Sequence, residues 1–347
     1  MPNIKMGIRT IGAAVAAGLA LALSVAVHAQ DVAALHKAAQ DEKMLSWCNG
    51  SLPDASAARV IEAFAKKYPG IRVNSLRATS QVAYQRLMQD LENNMFNCDV
   101  FGSGDGGHFI ELQRRGDLLD YKVVAASSIG PEFRDLYEPG QYYPATTFLM
   151  VMAYNKNLVP AANAPTNWSD LIDPKWKGKV VIAHPGYSGN IGNWAVFMQS
   201  LYGEQFFKKL SDNQPHVGRS SGDPVAQLAA GERQIGITPM AEVRAAIAKG
   251  APIEVVYPTD GSLVIVTHMA ILKKAPHPNA AKLFMEYVLG PEFGALMVAD
   301  GRQSLDPSVA TPGVKKLSEI KTGRLTIDQS TKGIGPLIEK WNAIFGG

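Results

Sequence analysis

Past the first thirty residues, apolar positions recur in short regular blocks separated by turn-forming residues. Val32 to Ala39 has the spacing of a short helix, and Met44-Leu45-Ser46-Trp47-Cys48 reads as a strand broken by Asn49-Gly50-Ser51. Ala57, Val60, Ile61 and Phe64 recur at helical spacing until Tyr68-Pro69-Gly70 stops them. A strand from Ile71 to Leu76 follows, then a helix opened by Thr79-Ser80 with Leu87 and Leu91 on one face. Asp99-Val100-Phe101 is a third strand, running through a glycine-rich turn into a helix from His108 to Arg115. This β-α-β-α-β-α rhythm predicts a mostly parallel sheet flanked by helices on both faces.

A strongly apolar run, Thr146 to Tyr154, interrupts the rhythm and is long for one strand. A second α/β unit follows, with strands at Gly178 to Ala183 and Gln234 to Thr238. Its helices carry Trp194, Phe197, Met198 and Leu201, then span Asp223 to Ala230 and Ala241 to Lys249. A second apolar run, Leu263 to Leu272, leads into helices at Asn279 to Leu289 and Pro291 to Val298, and Pro336 to Phe345 reads as a last helix. Two α/β units joined by two long runs predict two lobes with at least two chain crossings. Lobe one is expected over 30–147 and 266–312, lobe two over 148–265 and 313–347. A cleft between such lobes is the expected ligand site.

The first thirty residues differ in kind. Lys5 and Arg9 precede an apolar stretch from Ile11 to Val27, and Val27-His28-Ala29 supplies small side chains where a signal peptidase reads. Residues 1–29 therefore predict a cleaved secretory signal peptide and a periplasmic protein. A retained anchor is the competing reading, but the run is only mildly apolar and no Lys/Arg cluster follows it.

The chain has 347 residues, 46% of them hydrophobic, enough for sizeable cores and unlike a disordered or disulfide-framework chain. Thirty-four Lys+Arg balance 31 Asp+Glu without a dense basic run, which argues against a nucleic-acid partner. Losing Lys5 and Arg9 takes the net charge from +3 to +1. Cys48 and Cys98 are too few for a Cys-based zinc site. They can pair in an oxidising compartment, closing a loop of roughly 50 residues, but their offset along neighbouring strands can exceed the ~7 Å Cα limit, so the pairing stays open.

Enzyme patterns are weak. Gly102-Ser103-Gly104-Asp105-Gly106-Gly107 matches G-x-G-x-x-G, yet follows the third strand instead of the first. Gly186-Tyr187-Ser188-Gly189-Asn190 departs from G-x-S-x-G at its last position, and His184 lacks metal-ligand spacing. No nucleophile and base can be paired, so no catalytic residue, metal site or cofactor is expected.

Several stretches are family-like in combination: Phe64-Ala65-Lys66-Lys67-Tyr68-Pro69-Gly70-Ile71-Arg72-Val73, Cys98-Asp99-Val100-Phe101, Ala153-Tyr154-Asn155-Lys156 and Trp168 through Lys179. Tyr257 to Ser262, Ala275 to Phe284 and Gly290-Pro291-Glu292 extend the likeness over most of the chain after the leader. The chain resembles extracytoplasmic solute-binding proteins of ABC importers, in the branch containing ferric-iron, polyamine and phosphonate binders. The resemblance implies a two-lobe, type II periplasmic binding protein fold, a monomer that closes over a small-molecule solute by hinge motion and presents it to an inner-membrane ABC permease. A ligand can shift that equilibrium only by binding the closed state better.

Departures from the branch narrow the ligand. Ferric binders carry adjacent tyrosines where this chain has Thr238-Pro239-Met240-Ala241-Glu242, and Tyr142-Tyr143 lies before the first crossing instead. Polyamine binders use an aromatic residue and a carboxylate where Ile265 and Thr267 stand. Trp47 holds a position used for stacking, and ordinary packing explains it equally well. What remains are loops that open helices: Asn49-Gly50-Ser51, Thr79-Ser80, Ser103-Gly104-Asp105, Ser188-Gly189-Asn190 and Ser220-Ser221-Gly222. Each offers backbone N–H groups and hydroxyls at the positive end of a helix, or merely caps it. Arg77 can meet an anion, although a lone loop arginine is more often solvated; Asp105, Glu242 and Asp260 can hold an amino group or simply cap and turn the chain.

The expected ligand is a small anionic or zwitterionic organic solute of phosphonate, phosphate-ester or carboxylate type, bound without a dedicated arginine. Ferric iron is the alternative, and a sensor subunit or a secreted enzyme on the same fold a further one.

Overall fold

The computed structural model describes residues 32–310, 312, 315 and 317–346; the expected signal peptide lies outside the described residues. A helix α1 over 32–42 precedes β1 (Met44–Gly50), α2 (Asp54–Lys67), β2 (Arg72–Arg77), α3 (Ser80–Glu92), β3 (Val100–Ser103) and α4 (Gly107–Arg115). The expected rhythm is therefore present. Helix α2 buries Ala57, Val60 and Phe64, the spacing that predicted it, and α4 ends where Gly116 takes φ 74°, which a side chain disfavours.

The run expected to be long for one strand is one strand, β4 (Tyr143–Asn155), buried at all 13 positions. Beyond it come β5 (Val180–Ala183), α5 (Gly189–Tyr202), α6 (Glu204–Asp212), β6 (His216–Gly218), α7 (Asp223–Ala230), β7 (Ile235–Pro239), α8 (Met240–Ala248) and β8 (Ile253–Val256). Strand β9 (Ser262–Ile271), helices α9 (Pro278–Val288) and α10 (Pro291–Ala299), the short β10 (Thr322–Gly323) and α11 (Ile327–Phe345) complete the described chain.

The strands form two parallel groups, β2-β1-β3 and β7-β5-β6, linked through β9 and β4 in the order β2-β1-β3-β9-β4-β7-β5-β6. Strand β9 pairs antiparallel with β3 at its far end, and β4 pairs antiparallel with β7 at its own. Between them β4 and β9 pair with each other from Tyr143↔Met269 to Leu149↔Val264, with a register shift between Pro144 and Thr146. These are the two crossing strands. Because both faces are covered, their sequences read as unbroken apolar runs.

Each lobe has a core on either side of its sheet. Around β1 and β3, Trp47, Phe64, Tyr68, Phe284 and Tyr287 pack under α2 and α9, while Phe101, Phe109 and Leu112 pack under α3 and α4. Around β5 and β7, Trp168, Trp194, Phe206 and Trp341 pack under α5, α6 and α11, with Val151, Leu228, Met240 and Val243 on the other face.

One expectation changes and one open question closes. Helix α11 starts at Ile327, nine residues before Pro336. Thr326 accepts the Gln329 N–H (3.1 Å) and Gln329 accepts the Thr326 N–H (2.9 Å), a capping box that outweighs the proline. Cys48 and Cys98 form a disulfide with Cα atoms 5.8 Å apart. The Asp99 N–H donates to Ser46 O (2.9 Å), so the chain ahead of β3 still runs beside β1 and the offset is absorbed.

Candidate functional site

Loops at the carboxyl ends of the parallel strands meet between the lobes. Ser80 Oγ donates to Gly50 O (2.8 Å) and accepts the Gly104 N–H (3.1 Å), tying together the loops after β1, β2 and β3. From the other lobe, α5 comes down on them: a Cβ on Gly189 would stand 3.2 Å from Gly104 C and from Ser80 Cβ. Asn190 Oδ1 lies 2.9 Å from where a Gly104 Cβ would be, so a side chain at either glycine would crowd this contact. The lobes are closed in this structure. Thr79 Oγ1 and Asn190 Oδ1 are buried here without a hydrogen-bond partner among the described residues.

The Ser103-Gly104-Asp105 turn is internally committed. Ser103 Oγ accepts the Asp105 N–H (3.0 Å) and lies 2.8 Å from His108 Nδ1; Asp105 accepts from the Gly107 N–H (2.9 Å) and Gln81 Nε2 (3.1 Å). Asp105 thus shapes the start of α4, leaving Ser80, Gly104, Gly189 and Asn190 as the groups brought together across the lobes. Ser188 precedes them at the start of α5, its hydroxyl making no cap bond.

Other expected residues are placed elsewhere. Trp47 is fully buried with its ring 5.3 Å from Phe284, so it packs the core of lobe one and offers no face for stacking. Asn49 Oδ1 accepts the Ser51 N–H (3.2 Å) and the Leu52 N–H (2.8 Å), so both Asn49 and Ser51 serve the turn after β1. Asp260 accepts the Trp168 N–H (2.8 Å) and bonds the Tyr202 hydroxyl inside lobe two, and that phenol is pushed up to about 12 by burial and by Asp260 itself. One carboxylate oxygen, Oδ2, takes both bonds, and Oδ1 is buried without a hydrogen-bond partner among the described residues. Ser221 gives its carbonyl to Thr238 Oγ1 (2.9 Å), fastening its loop to the end of β7.

The charged centre is one the sequence reading missed. Arg302, 3% exposed, lies in the loop after α10 with its guanidinium 4.1 Å from the centre of the Phe148 ring on β4. The loop is riveted to the crossing strand: the Gln303 N–H donates to Thr147 Oγ1 (3.1 Å) and that hydroxyl donates to Gln303 O (2.9 Å). Arg302 Nε and Nη1 have no hydrogen-bond partner among the described residues. Burial pulls its pKa down to about 10, opposed by Glu242 and Asp300.

Glu242, in the first turn of α8, is raised by burial and held back by Arg302 and Arg77. Arg77, at the end of β2, is half-buried and lowered by burial, with Asp54 and Glu242 opposing. Arg77 and Glu242 are thus electrostatically coupled to each other, and Glu242 to Arg302 as well.

Residues 99–329 match the family described as bacterial extracellular solute-binding protein. The chain belongs to that family. It is 24% identical over 244 residues to a protein of Salmonella paratyphi A named as a 2-aminoethylphosphonate-binding periplasmic protein, covering 67% of this chain and 68% of that one. Among solved structures, AfuA of Actinobacillus pleuropneumoniae, with fructose-6-phosphate bound, superposes with TM-score 0.76 at 24% identity over 87% of this chain and 98% of its own. Iron-bound HitA of Pseudomonas aeruginosa gives TM-score 0.76 at 20% identity over 87% and 99%. The fold is that of type II periplasmic binding proteins, and the solute-binding protein is one of ABC-transporter type, whose family members bind small solutes and pass them to a permease.

In this solute-binding protein both tyrosines of the adjacent pair are structural. Tyr142 packs against Phe109 and His268, and the Tyr143 hydroxyl accepts from the Gly140 (2.7 Å) and Val123 (3.1 Å) N–H groups. At the polyamine positions, Ile265 lies in the core of lobe two and Thr267 Oγ1 donates to Thr146 O (3.2 Å).

Proposed function

We propose that this protein captures a small organic solute carrying a phosphonate, phosphate-ester or carboxylate group, with or without an ammonium, and that Arg302 seats the anionic end. The observation that carries this reading is the buried guanidinium with two nitrogens, Nε and Nη1, lacking partners, stacked on the hinge and electrostatically coupled to Glu242. Unmade hydrogen bonds on a buried guanidinium are costly until an anion meets them. The amino ends of α3 and α5 add N–H groups and a favourable dipole. Glu242 can take an ammonium while leaving the arginines for the anion. The relative named for 2-aminoethylphosphonate supports a zwitterion of that kind, and the burial of Tyr142 and Tyr143 weighs against a phenolate-bound metal.

Thermal denaturation with 2-aminoethylphosphonate, fructose-6-phosphate, citrate, spermidine and ferric citrate tests the class. At 100-fold excess over Kd a bound solute adds about 2.7 kcal/mol, a rise of roughly 5 °C for a chain of this size. The rise is expected for an anionic solute and should vanish in Arg302→Met. Stabilisation by ferric citrate with a tyrosinate charge-transfer band, or by spermidine alone, overturns the proposal.

A further inference from the structure

The lobes are joined a third time by the first turn of α11, away from the charged centre. The far end of this helix is rooted in lobe two, where Trp341 packs on Phe207 and Ile344 O accepts the Ser211 hydroxyl (3.2 Å). Its near end reaches lobe one. Thr331 Cα stands 3.2 Å from where a Gly107 Cβ would be, and Arg324, just before the helix, bonds Glu132 O and lies 3.2 Å from Asp135.

Between the two ends, Ser330 Oγ donates to Asn193 Oδ1 (2.6 Å), and Asn193 Nδ2 donates to Gly104 O in lobe one and to Gly189 O (both 2.9 Å). This amide is 4% exposed and its bond to Gly104 exists only while the lobes touch. A small cavity, open at its mouth, lies under the turn against Leu263–Val266 of β9 and His268, and Ile327 packs from the turn against the core of lobe one. Gly333, Gly335 and Pro336 separate the rooted end from the reaching end, and proline supplies no N–H for the Lys332 carbonyl.

We propose that this turn, acting through Asn193, is a latch that keeps a closed population in the solute-free protein. Asn193, Ser330 and Arg324 are then positioning residues: they raise apparent affinity by raising the competent fraction, without touching solute. The inference rests on two-lobe binding and not on the class of solute.

Spin labels at Lys66→Cys on α2 and Lys209→Cys on α6, with the native disulfide intact, read the lobe separation by double electron–electron resonance without solute. A short-distance population is expected, and Asn193→Asp, which deletes the donor to Gly104, should reduce it ~fivefold, the effect of about one buried hydrogen bond. Ser330→Ala combined with Arg324→Ala should deplete it too, and carries the test where Asn193→Asp fails to fold. Absence of the short population in the parent protein, or its persistence unchanged in the folded variants, overturns the latch. Neither outcome bears on whether Arg302 seats an anion.

Discussion

Arg302 shows how one residue can hold both a stability deficit and a binding site. Its guanidinium gains from the Phe148 face, but unmade bonds at Nε and Nη1 are a desolvation loss in the solute-free protein. Arg302→Met keeps the stem and removes the charge. Because Glu242 and Asp300 then lose their buried cation, solute-free stability should fall by about 3–5 kcal/mol in urea unfolding, while solute stabilisation is lost; an unchanged or raised stability would mean that neither carboxylate depends on the guanidinium. Trp47 gives the opposite case. Buried against Phe284, it should cost about 3–5 kcal/mol as Trp47→Ala, whereas Trp47→Phe should leave solute affinity within twofold, measurable by calorimetry. The chain does not announce the first role and leaves the second evenly divided between packing and stacking. A loop arginine reads as solvated because nothing local announces Thr147 and Phe148 beneath it, and a tryptophan at a strand end can face either a core or a cleft.

At the scale of elements the sequence was far more legible, because burial on both faces writes itself into composition. Strands β4 and β9 stood out as apolar runs and proved to be the crossings. Short elements such as β6, β8 and β10 carry too few residues for any period to register. Helix α11 was truncated in the reading because Pro336 looked like a start; the true start is set by Thr326 and Gln329, a pair legible only as a capping box. Its interior Gly335 meets nothing beyond its chain neighbours where a Cβ would go, but the ring of Pro336 follows directly and crowds a Cβ in helical backbone. Gly335→Ala should therefore bring none of the ordinary helix gain of alanine, about 0.5–1 kcal/mol, read as a melting temperature unchanged or lowered. A raised melting temperature would show that the proline ring tolerates the added methyl. The disulfide beside β1 closes 50 residues, and replacing both cysteines with serine should remove up to about 4 kcal/mol if the chain-entropy model holds.

The whole molecule inherits an acid limit from two histidines buried within lobe one. His268 Nε2 is 2.7 Å from Leu136 O, an acceptor only, so that nitrogen carries the proton and Nδ1 is left bare, without a partner among the described residues. Burial lowers its pKa from 6.5 to about 4, and His108 is lowered by burial as well, with Asp105 opposing. Between the folded and unfolded pKa values the unfolded chain binds more protons than the native one. Stability from these groups is thus fully present above about pH 6.5 and declines as pH falls towards 4, by about 3 kcal/mol for His268. Urea midpoints should drop steadily over that window, and His268→Gln, which can still donate to Leu136, should flatten the drop by roughly half. An unchanged slope in His268→Gln would place the acid sensitivity elsewhere. Because His268 sits on β9 where it pairs with β3, opposite Ser103, its protonation would disturb the strand that enters lobe one from the hinge. Acid should therefore loosen the closed arrangement before it unfolds either lobe, visible as loss of the short lobe separation at a pH where far-ultraviolet dichroism is still native.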